Sequence, residues 1–215
     1  MKIAIIGATG FVGTAIANEL AQRGNDVTAI SRNPKSDETE SITSVKADVT
    51  NIDELASALS GHDAVISAYN PGWTNPNIYD DFISGSQAIQ KAVKQSGVER
   101  FIVIGGGGSL FVAPGVQAVD TPDFPKEYYA GASAARDYLN IIREEKELDW
   151  AFFSPAFEMH PGIETGRTGK YRLGLENPVF DENKRSILSV QDLAVVIADE
   201  TEKPAHHRER FTAAY

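Results

Sequence analysis

The sequence predicts an α/β fold built on a doubly wound, mostly parallel β-sheet. Short apolar runs rich in β-branched residues, which are typical of buried strands, alternate along the chain with segments whose apolar residues recur at helical spacing. A glycine-rich turn joins the first of these strands to the first of these helices. The chain has 215 residues, so we expect residues 1–215 to form a single domain, with room for a small appended lobe.

The first strand and the first helix meet at the sequence GATGFVG, residues 7–13. We predict the strand from Ile3 to Ile6 and the helix from Phe11 to Arg23. Gly7 allows the chain to turn sharply, and Gly10 leaves no side chain between the backbone and a ligand. The turn is therefore suited to a ligand that approaches the backbone closely.

The amino end of this first helix favours a bound pyrophosphate. Its N–H groups lack partners within the helix, and the helix dipole places positive charge there. Gly13 allows the helix to pack closely against the strand. These features are the dinucleotide-binding arrangement of a Rossmann unit, and a glycine-rich turn without a ligand is the alternative. The predicted cofactor contacts are Gly7, Thr9, Gly10, Phe11 and Val12.

The second strand, predicted from Asp26 to Ser31, carries the signal for the type of cofactor. NAD sites usually end this strand with a carboxylate that binds the ribose 2′-hydroxyl, whereas an arginine suits the 2′-phosphate of NADP. We therefore predict that Arg32 binds the 2′-phosphate with help from Ser31 and Asn33. NADP is the expected cofactor and NAD the alternative, and a solvated loop arginine is the competing interpretation of Arg32. The polar residues Lys35 to Ser41 predict a surface loop.

The fourth strand, predicted from Asp63 to Ala68, ends beside the predicted cofactor site. Ligands of doubly wound sheets lie outside the carboxyl ends of strands, near the point where the strand order reverses. We therefore expect Ala68 and Tyr69 to border the cofactor, and Tyr69 and Trp73 to flank a nicotinamide or a flat substrate. A tryptophan that only covers the end of the sheet is the alternative.

Two segments that follow strands carry further candidate site residues. The fifth strand, predicted from Arg100 to Ile104, is followed by four glycines and then Ser109. Glycines allow close approach of a ligand, so Gly105 is a predicted cofactor contact, and a flexible loop is the alternative. His160 follows the sixth strand, Asp149 to Ser154, and could donate a proton or bind a flavin phosphate because histidine titrates near neutral pH. A loop histidine bonded to the backbone is the other interpretation.

The remaining elements complete the alternation of strands and helices. Asn51 is a suitable N-cap, and Ser189 with Asp192 forms a capping box. The predictions are a third strand from Ser44 to Val49, helices from Asn51 to Leu59, Tyr79 to Gln95, Phe124 to Glu147 and Leu193 to Thr201, and a last strand from Arg210 to Ala213.

Composition excludes several classes of protein. The formal net charge of −10 argues against a nucleic-acid partner, because phosphates need a basic surface. There are no cysteines, which excludes disulfides and thiolate chemistry and fits a reducing cytoplasm. We expect no membrane partner, no leader peptide and no metal site, with His206 and His207 on the surface. The basic residues Arg167, Lys170 and Arg172 could bind an anionic substrate group or belong to a solvated hairpin.

Six stretches together resemble the NAD(P)H-binding, NmrA-like group of atypical short-chain dehydrogenases/reductases, which includes proposed NADH-flavin reductases and NAD-dependent epimerase/dehydratase-like proteins. They are GATGFVG at Gly7, DAVISAYNPG at Asp63, IGGGGSLF at Ile104, DWAFFSPA at Asp149, PGIETGRTGKYRLG at Pro161 and SILSVQDLA at Ser186. The resemblance implies a Rossmann sheet of seven or eight strands, NADP(H) or NAD(H), and a small C-terminal substrate lobe at about residues 155–190.

The same resemblance implies roles for three further residues. Asp48 and Val49 would lie beside the adenine, although Asp48 could instead only form a turn. Ser109 stands where short-chain reductases place the serine or threonine that orients the substrate. The loop after the sixth strand and the lobe would then complete a site for a small-molecule acceptor.

The chain departs from this group at the catalytic motif. Short-chain reductases use Tyr-x-x-x-Lys, in which the lysine lowers the pKa of the tyrosine so that it transfers a proton near neutral pH. Here Tyr128 is followed four residues later by Ala132, and Tyr129 by Ser133. Tyr128 stays a catalytic candidate with Ser109 and His160, but the missing lysine favours an acceptor that needs no protein acid.

Three functions remain at this point. The first is an NAD(P)H-dependent oxidoreductase, acting as a monomer or homodimer, that transfers hydride to a small conjugated acceptor such as a flavin or quinone. The second is a protein that binds the dinucleotide without turnover and senses the redox state. The third, a nucleotide-sugar epimerase or dehydratase, is least favoured because it needs the tyrosine–lysine pair.

Overall fold

The computed structural model describes residues 1–34 and 41–215, so the loop expected at Lys35 to Ser41 lies outside the described residues except for its last position. The strands are β1 (Lys2–Ile6), β2 (Asp26–Ser31), β3 (Ile42–Lys46), β4 (Ala64–Ser67), β5 (Arg100–Ile104), β6 (Phe111–Ala113), β7 (Val116–Gln117), β8 (Asp149–Ser154), β9 (Arg172–Gly174) and β10 (Glu209–Ala214). The α-helices are α1 (Phe11–Gln22), α2 (Ile52–Leu59), α3 (Ile78–Ser96), α4 (Lys126–Ile142) and α5 (Val190–Glu202).

Eight of these strands form one sheet, and its order locates the candidate site. The order is β3-β2-β1-β4-β5-β8-β10-β9, and β6 and β7 form a separate hairpin. Neighbouring strands of the large sheet are parallel, except that β9 is antiparallel to β10. The predicted doubly wound sheet is therefore confirmed. The strand order reverses at β1, which pairs with both β2 and β4, so a crevice lies outside the carboxyl ends of β1 and β4.

Helices cover both faces of the sheet. In β1, Ala4 and Ile6 belong to a core shared with α2, α3 and α4, whereas Ile3 and Ile5 belong to a second core shared with α1 and α5. Strands that are buried on both faces appear in the sequence as continuous apolar runs, which is why β1, β4 and β5 were predictable. The helices also carry the expected caps, since the side chains of Asn51 and Ser189 accept N–H bonds at the starts of α2 and α5.

The third strand lies earlier in the chain than predicted. It occupies β3 rather than Ser44 to Val49, and the last pairing with β2 is made by the N–H of Ala47, which donates to Ser31 O at 3.2 Å. The chain then turns, because Asp48 Oδ1 accepts hydrogen bonds from both the backbone N–H and the hydroxyl of Thr50, at 2.9 and 2.8 Å.

The end of α4 and the position of His206 also differ from the prediction. The helix ends at Ile142 rather than Glu147, because Glu145 Oε1 accepts the backbone N–H of Glu147 at 2.7 Å and the chain bends toward β8. His206 was expected on the surface but is only 7% exposed. Its Nδ1 lies 2.7 Å from Glu200 Oε2, so a buried hydrogen bond compensates the loss of water around both groups.

The segment at 155–190 joins the edge of the main sheet. Its strand β9 pairs with β10 through Leu173 and Ala213, and a single bridge links Glu158 to Ile187. The buried carboxylate of Asp192, at the start of α5, accepts the N–H groups of Thr168 at 2.9 Å and of Gly169 at 2.7 Å. This segment is thereby attached to both α5 and β10, and its role as a substrate lobe stays a prediction.

Candidate functional site

The glycine-rich turn at 7–13 is held by close backbone contacts. Gly7 has φ +80°, and a Cβ atom there would lie 2.5 Å from Ala68 O, at the end of β4. A Cβ at Gly13 would lie 2.2 Å from Gly7 O, so this glycine brings α1 against the turn itself. Both residues must be glycine for the chain to pack in this way.

Gly10 differs from the other two glycines of the turn. Its φ of −80° is open to any residue, and the nearest atom to an added Cβ would be Gly7 O at 3.3 Å. It forms the N-cap of α1, and no side chain of the described residues caps that end. The first-turn N–H groups are therefore available to an external anion, and Gly10 and Phe11 are exposed beside them.

Three predicted cofactor residues come together at the carboxyl ends of β2, β3 and β4. Hydrogen bonds from Thr50 hold the pKa of the Asp48 carboxyl below its usual range, and the nearby Arg32 charge lowers it further. Burial raises the pKa of Tyr69, and the charge of Arg32 opposes that rise. Arg32 thus lies within electrostatic range of both side chains. The Asp48 turn is confirmed, and its contact with an adenine stays a prediction.

Ser31 supplies an observation that bears directly on a bound ligand. Its side chain is 9% exposed, and among the described residues nothing hydrogen-bonds to its buried Oγ. An unpartnered buried hydroxyl is costly, so a polar group of a ligand would stabilise it. Ser31 immediately precedes Arg32, where the ribose of a dinucleotide is predicted. The residues present therefore fit such a cofactor.

The two aromatic residues after β4 have different surroundings. The Tyr69 ring packs against α3, where a Cβ at Gly85 would lie 2.5 Å from it, and its hydroxyl donates to Asp81 O at 3.0 Å. The backbone nitrogen of Tyr69 borders the glycine-rich turn, 3.2 Å from a Cβ added at Gly7. Trp73 is 55% exposed and contacts the Tyr128 ring edge-on, with 5.4 Å between ring centroids. Trp73 is therefore the exposed aromatic surface of this loop.

Three further predicted cofactor residues lie in the core or close to it. Val49 is buried in the core that contains α2 and α3, and Ala68 is partly buried beside Gly7. Gly105 accommodates the protein's own packing, because a Cβ there would lie 2.0 Å from the Phe152 ring. None of these three positions is contradicted, and their contacts with a cofactor stay predictions.

Ser109 lies in a buried network rather than at an open surface. Its Oγ donates to Gly106 O at 2.9 Å and lies 3.0 Å from Ser154 Oγ. Arg210 Nη1 donates to Ser109 O at 2.9 Å and to its Oγ at 3.2 Å. Both Ser109 and Arg210 are at most 1% exposed, and Arg210 also pairs with Glu176. In this arrangement Ser109 is buried and fixes the loop after β5, and its role beside a substrate stays a prediction.

Arg210 and Glu176 are site-supporting residues that sequence reasoning missed. Arg210 was included in the last strand only as its first residue. The available signal was an arginine directly before the apolar residue Phe211 in a strand that must be buried, since such a charge requires a partner. Its partner Glu176 lies 34 positions away, so the pairing itself carried no sequence signal.

The candidate catalytic residues are not brought together. Tyr128 is 48% exposed against Trp73, whereas Ser109 is buried. His160 is exposed, and its Nδ1 accepts the backbone N–H of Gly162 at 3.1 Å, which is the backbone-bonded arrangement. No hydrogen bond in the described part of the chain connects any two of the three. A proton relay through them therefore has no support in this geometry.

Two residues of the basic cluster in 155–190 have hydrogen-bond partners within the protein. Arg167 donates to both carboxylate oxygens of Glu19, at 2.7 and 2.8 Å. Arg172 donates to the backbone oxygens of Phe180 and Tyr215. Two of the three cations thus attach this segment to α1 and to Tyr215, and binding of an anionic substrate group by the cluster stays a prediction.

Comparison with known proteins gives the family. Residues 7–204 match the family model described as NAD(P)H-binding. The chain belongs to this NAD(P)H-binding family. The match begins at Gly7, the first glycine of the turn, and continues almost to the end of the chain, so the family relationship covers both the crevice and the segment 155–190.

Three solved structures resemble this NAD(P)H-binding protein over its whole length. A proposed epimerase from Bacteroides thetaiotaomicron is 46% identical, with a TM-score of 0.91 over 100% of this chain and 96% of the other. A protein from Burkholderia pseudomallei, proposed to be exported, is 40% identical, with a TM-score of 0.88 and 100% of both chains covered. A proposed NADH-flavin reductase from Streptococcus pneumoniae is 36% identical, with a TM-score of 0.85 over 100% of this chain and 99% of the other.

These relatives confirm the group that the sequence resembles and the Rossmann-type fold. They also agree with a nicotinamide cofactor, without distinguishing NADP from NAD. Within residues 1–34 and 41–215, no helix combines the length and apolar character that a membrane crossing requires.

Proposed function

We propose that this NAD(P)H-binding protein is an oxidoreductase that transfers hydride from NADPH to a small conjugated acceptor of the flavin or quinone type. The observation that carries the proposal is the uncapped amino end of α1 at Gly10, in a turn that Gly7 and Gly13 hold against β4. The first-turn N–H groups would bind the pyrophosphate, and Ser31 with Arg32 would bind the adenosine ribose and its phosphate. When bound, the cofactor supplies the hydride.

The type of acceptor is inferred from the missing catalytic lysine and from the burial of Ser109. Tyr128 has alanine at the position of the usual lysine, and Ser109 is buried. Reduction of an isolated carbonyl needs a proton from a positioned acid as the hydride arrives. A flavin or quinone ring delocalises the negative charge that hydride brings, so water can supply the proton afterwards. The relative described as a proposed NADH-flavin reductase supports this choice.

The direct test is steady-state oxidation of NADPH with a panel of FMN, FAD, riboflavin and simple quinones. We expect turnover clearly above the protein-free rate with at least one of these acceptors. If the protein binds NADPH but turns over none of them, the oxidoreductase proposal is wrong. A redox sensor would then be favoured, because the same missing lysine and buried serine suit binding without catalysis.

Arg32→Ala should weaken NADPH binding about 10-fold or more, because a charge-assisted hydrogen bond to the 2′-phosphate is lost. NADH has no such phosphate, so its affinity should stay within about twofold on the same reasoning. Calorimetric titration of both nucleotides measures the difference. Lys91→Ala, which removes an exposed positive charge from α3, is the matched control and should change neither affinity. Equal losses for NADPH and NADH in Arg32→Ala would show that Arg32 does not select the cofactor.

The cytoplasm remains the proposed compartment, and a monomer or homodimer the proposed assembly. The absence of cysteine supports a reducing compartment, whereas the Burkholderia relative is proposed to be exported. An epimerase is a weaker candidate despite the Bacteroides relative, because neither Tyr128 nor Tyr129 has the lysine that this chemistry uses.

A further inference from the structure

We propose that Trp73 is the surface on which the flat acceptor stacks, and that Tyr128 is a positioning residue that holds Trp73 rather than a proton donor. The inference rests on the proposed function in one respect, that the acceptor is a flat conjugated ring. It goes further by naming the residue that recognises the ring and by giving Tyr128 a different role.

Trp73 lies at the edge of the sheet where the crevice opens. It lies in the loop that connects β4 to α3, and this loop begins at Ala68, whose carbonyl approaches Gly7 of the cofactor-binding turn. Tyr128 lies in the first turn of α4, which follows the loops that leave β5. Both residues therefore belong to the edge of the sheet where the crevice lies, and an acceptor must meet the nicotinamide at that edge.

Trp73 is fixed in place by residues of α4. A Cβ at Gly131 of α4 would lie 2.7 Å from Trp73 Cζ3, so the indole lies directly on the helix. The Tyr128 ring contacts Trp73 at an interplanar angle of 86°. Gly131 lies inside a helix, where glycine is disfavoured relative to alanine, and the space that it leaves for Trp73 explains its presence.

Much of Trp73 is open to solvent. Trp73 is 55% exposed although it is fixed by its neighbours, whereas the other tryptophan, Trp150, is only 2% exposed. Tyr128 is 48% exposed beside it. A large aromatic surface that is both held and exposed, next to a ligand crevice, is suited to stacking on a flat ring. Stacking on an aromatic side chain depends on the ring and tolerates differences in the rest of the ligand.

The test is calorimetric titration of FMN and of riboflavin into protein saturated with NADP+. Trp73→Ala should weaken binding of both flavins by roughly 5- to 100-fold, because the ring that stacks is common to both. Trp73→Phe, which keeps an aromatic ring, should restore most of the affinity. NADP+ affinity, measured separately, should be unchanged in both variants because, in the described part of the chain, Trp73 packs against Tyr128 and Gly131 of α4 rather than against the turn at 7–13.

The role of Tyr128 is tested by the split between KM and kcat in NADPH-dependent flavin reduction. Tyr128→Ala should raise the flavin KM with little change in kcat, and Tyr128→Phe should restore KM because the ring alone holds Trp73. A proton donor predicts the opposite, since both substitutions would lower kcat by about 100-fold or more. Tyr129→Ala is the matched control, since Tyr129 is 50% exposed on the same helix and makes no ring contact with Trp73 among the described residues.

The outcomes separate this inference from the function on which it rests. If the wild type binds flavin and Trp73→Ala binds it within about twofold of the wild-type affinity, the stacking proposal is wrong even where turnover is seen. If the wild type binds NADPH but no flavin at any concentration tested, Trp73 is not a flavin platform. Because binding is measured at equilibrium, a wild type that binds flavin without turning over any acceptor of the panel would contradict the oxidoreductase proposal, and weaker flavin binding in Trp73→Ala would still support the stacking surface.

Discussion

Gly7→Ala should lower the free energy of unfolding by about 3 kcal/mol or more and remove measurable NADPH binding. The φ of +80° disfavours any residue with a side chain, and the added Cβ would lie 2.5 Å from Ala68 O and 2.9 Å from Ala68 C. Both atoms belong to the backbone directly after β4, which is tied to β1 by the bond from Ala68 N to Ile6 O, so they cannot move aside without shifting the end of β4. Separation of the turn from β4 would also displace the first-turn N–H groups of α1.

Gly24→Ala is the matched control for this prediction. Gly24 has φ +82°, nearly the same as Gly7, but no atom lies within 4 Å of an added Cβ. The free energy of unfolding of Gly24→Ala should fall by only about 1 kcal/mol, which is the cost of a side chain in the left-handed backbone conformation. The variant should bind NADPH normally. Urea unfolding and calorimetric titration measure both quantities. If the two variants lose equal stability, the contact between the turn and β4 has no energetic importance.

Arg210→Met should destabilise the protein by about 3 kcal/mol. The Arg210 side chain is completely buried, and it donates to Ser109 O and Oγ and to both carboxylate oxygens of Glu176. Methionine fills much of the volume, so the loss reports the missing hydrogen bonds. The Glu176 side chain is 43% exposed, so water can solvate it in the variant. The expected loss of stability is therefore at the lower end of the range for breaking a buried ion pair.

Arg143→Met provides the comparison, because Arg143 pairs with the same Glu176 carboxylate at 3.2 Å while keeping 37% of its side-chain exposure. Exposed ion pairs contribute little, so this variant should lose less than about 1 kcal/mol. Both losses are read from urea unfolding. Similar values for the two variants would mean that burial of Arg210 does not govern stability in this network.

Much of the fold was predictable because its determinants are local. The apolar runs of β1, β4 and β5 specify strands within a few residues, and Gly7 specifies the turn that follows β1. The third strand was misplaced because the alternating pattern continues beyond Lys46, and only the Asp48 turn and the pairing with β2 end it.

The cofactor side of the site was more predictable than the substrate side. The candidate cofactor residues were found from features that the sequence displays, namely the glycine spacing of the turn at Gly7 and the position of Arg32 directly after β2, and their contacts with a cofactor stay predictions. The direction of the Tyr69 ring depends on the space at Gly85 of α3, which the sequence around Tyr69 does not display, and its contact with a flat ligand stays a prediction. Ser109 was placed near a substrate by resemblance, and its burial depends on Arg210, 101 positions away. Such long-range contacts leave no periodic signal.

The central claim is that the amino end of α1 binds the pyrophosphate of a nicotinamide dinucleotide. The most direct measurement is an amide NMR titration of nitrogen-15-labelled protein with NADPH. We predict that the largest shifts fall on the amides of Gly10, Phe11 and Val12, with further shifts at Arg32 and Ala68. Saturable binding that leaves the Gly10, Phe11 and Val12 amides unmoved, or no binding at all, would contradict the account.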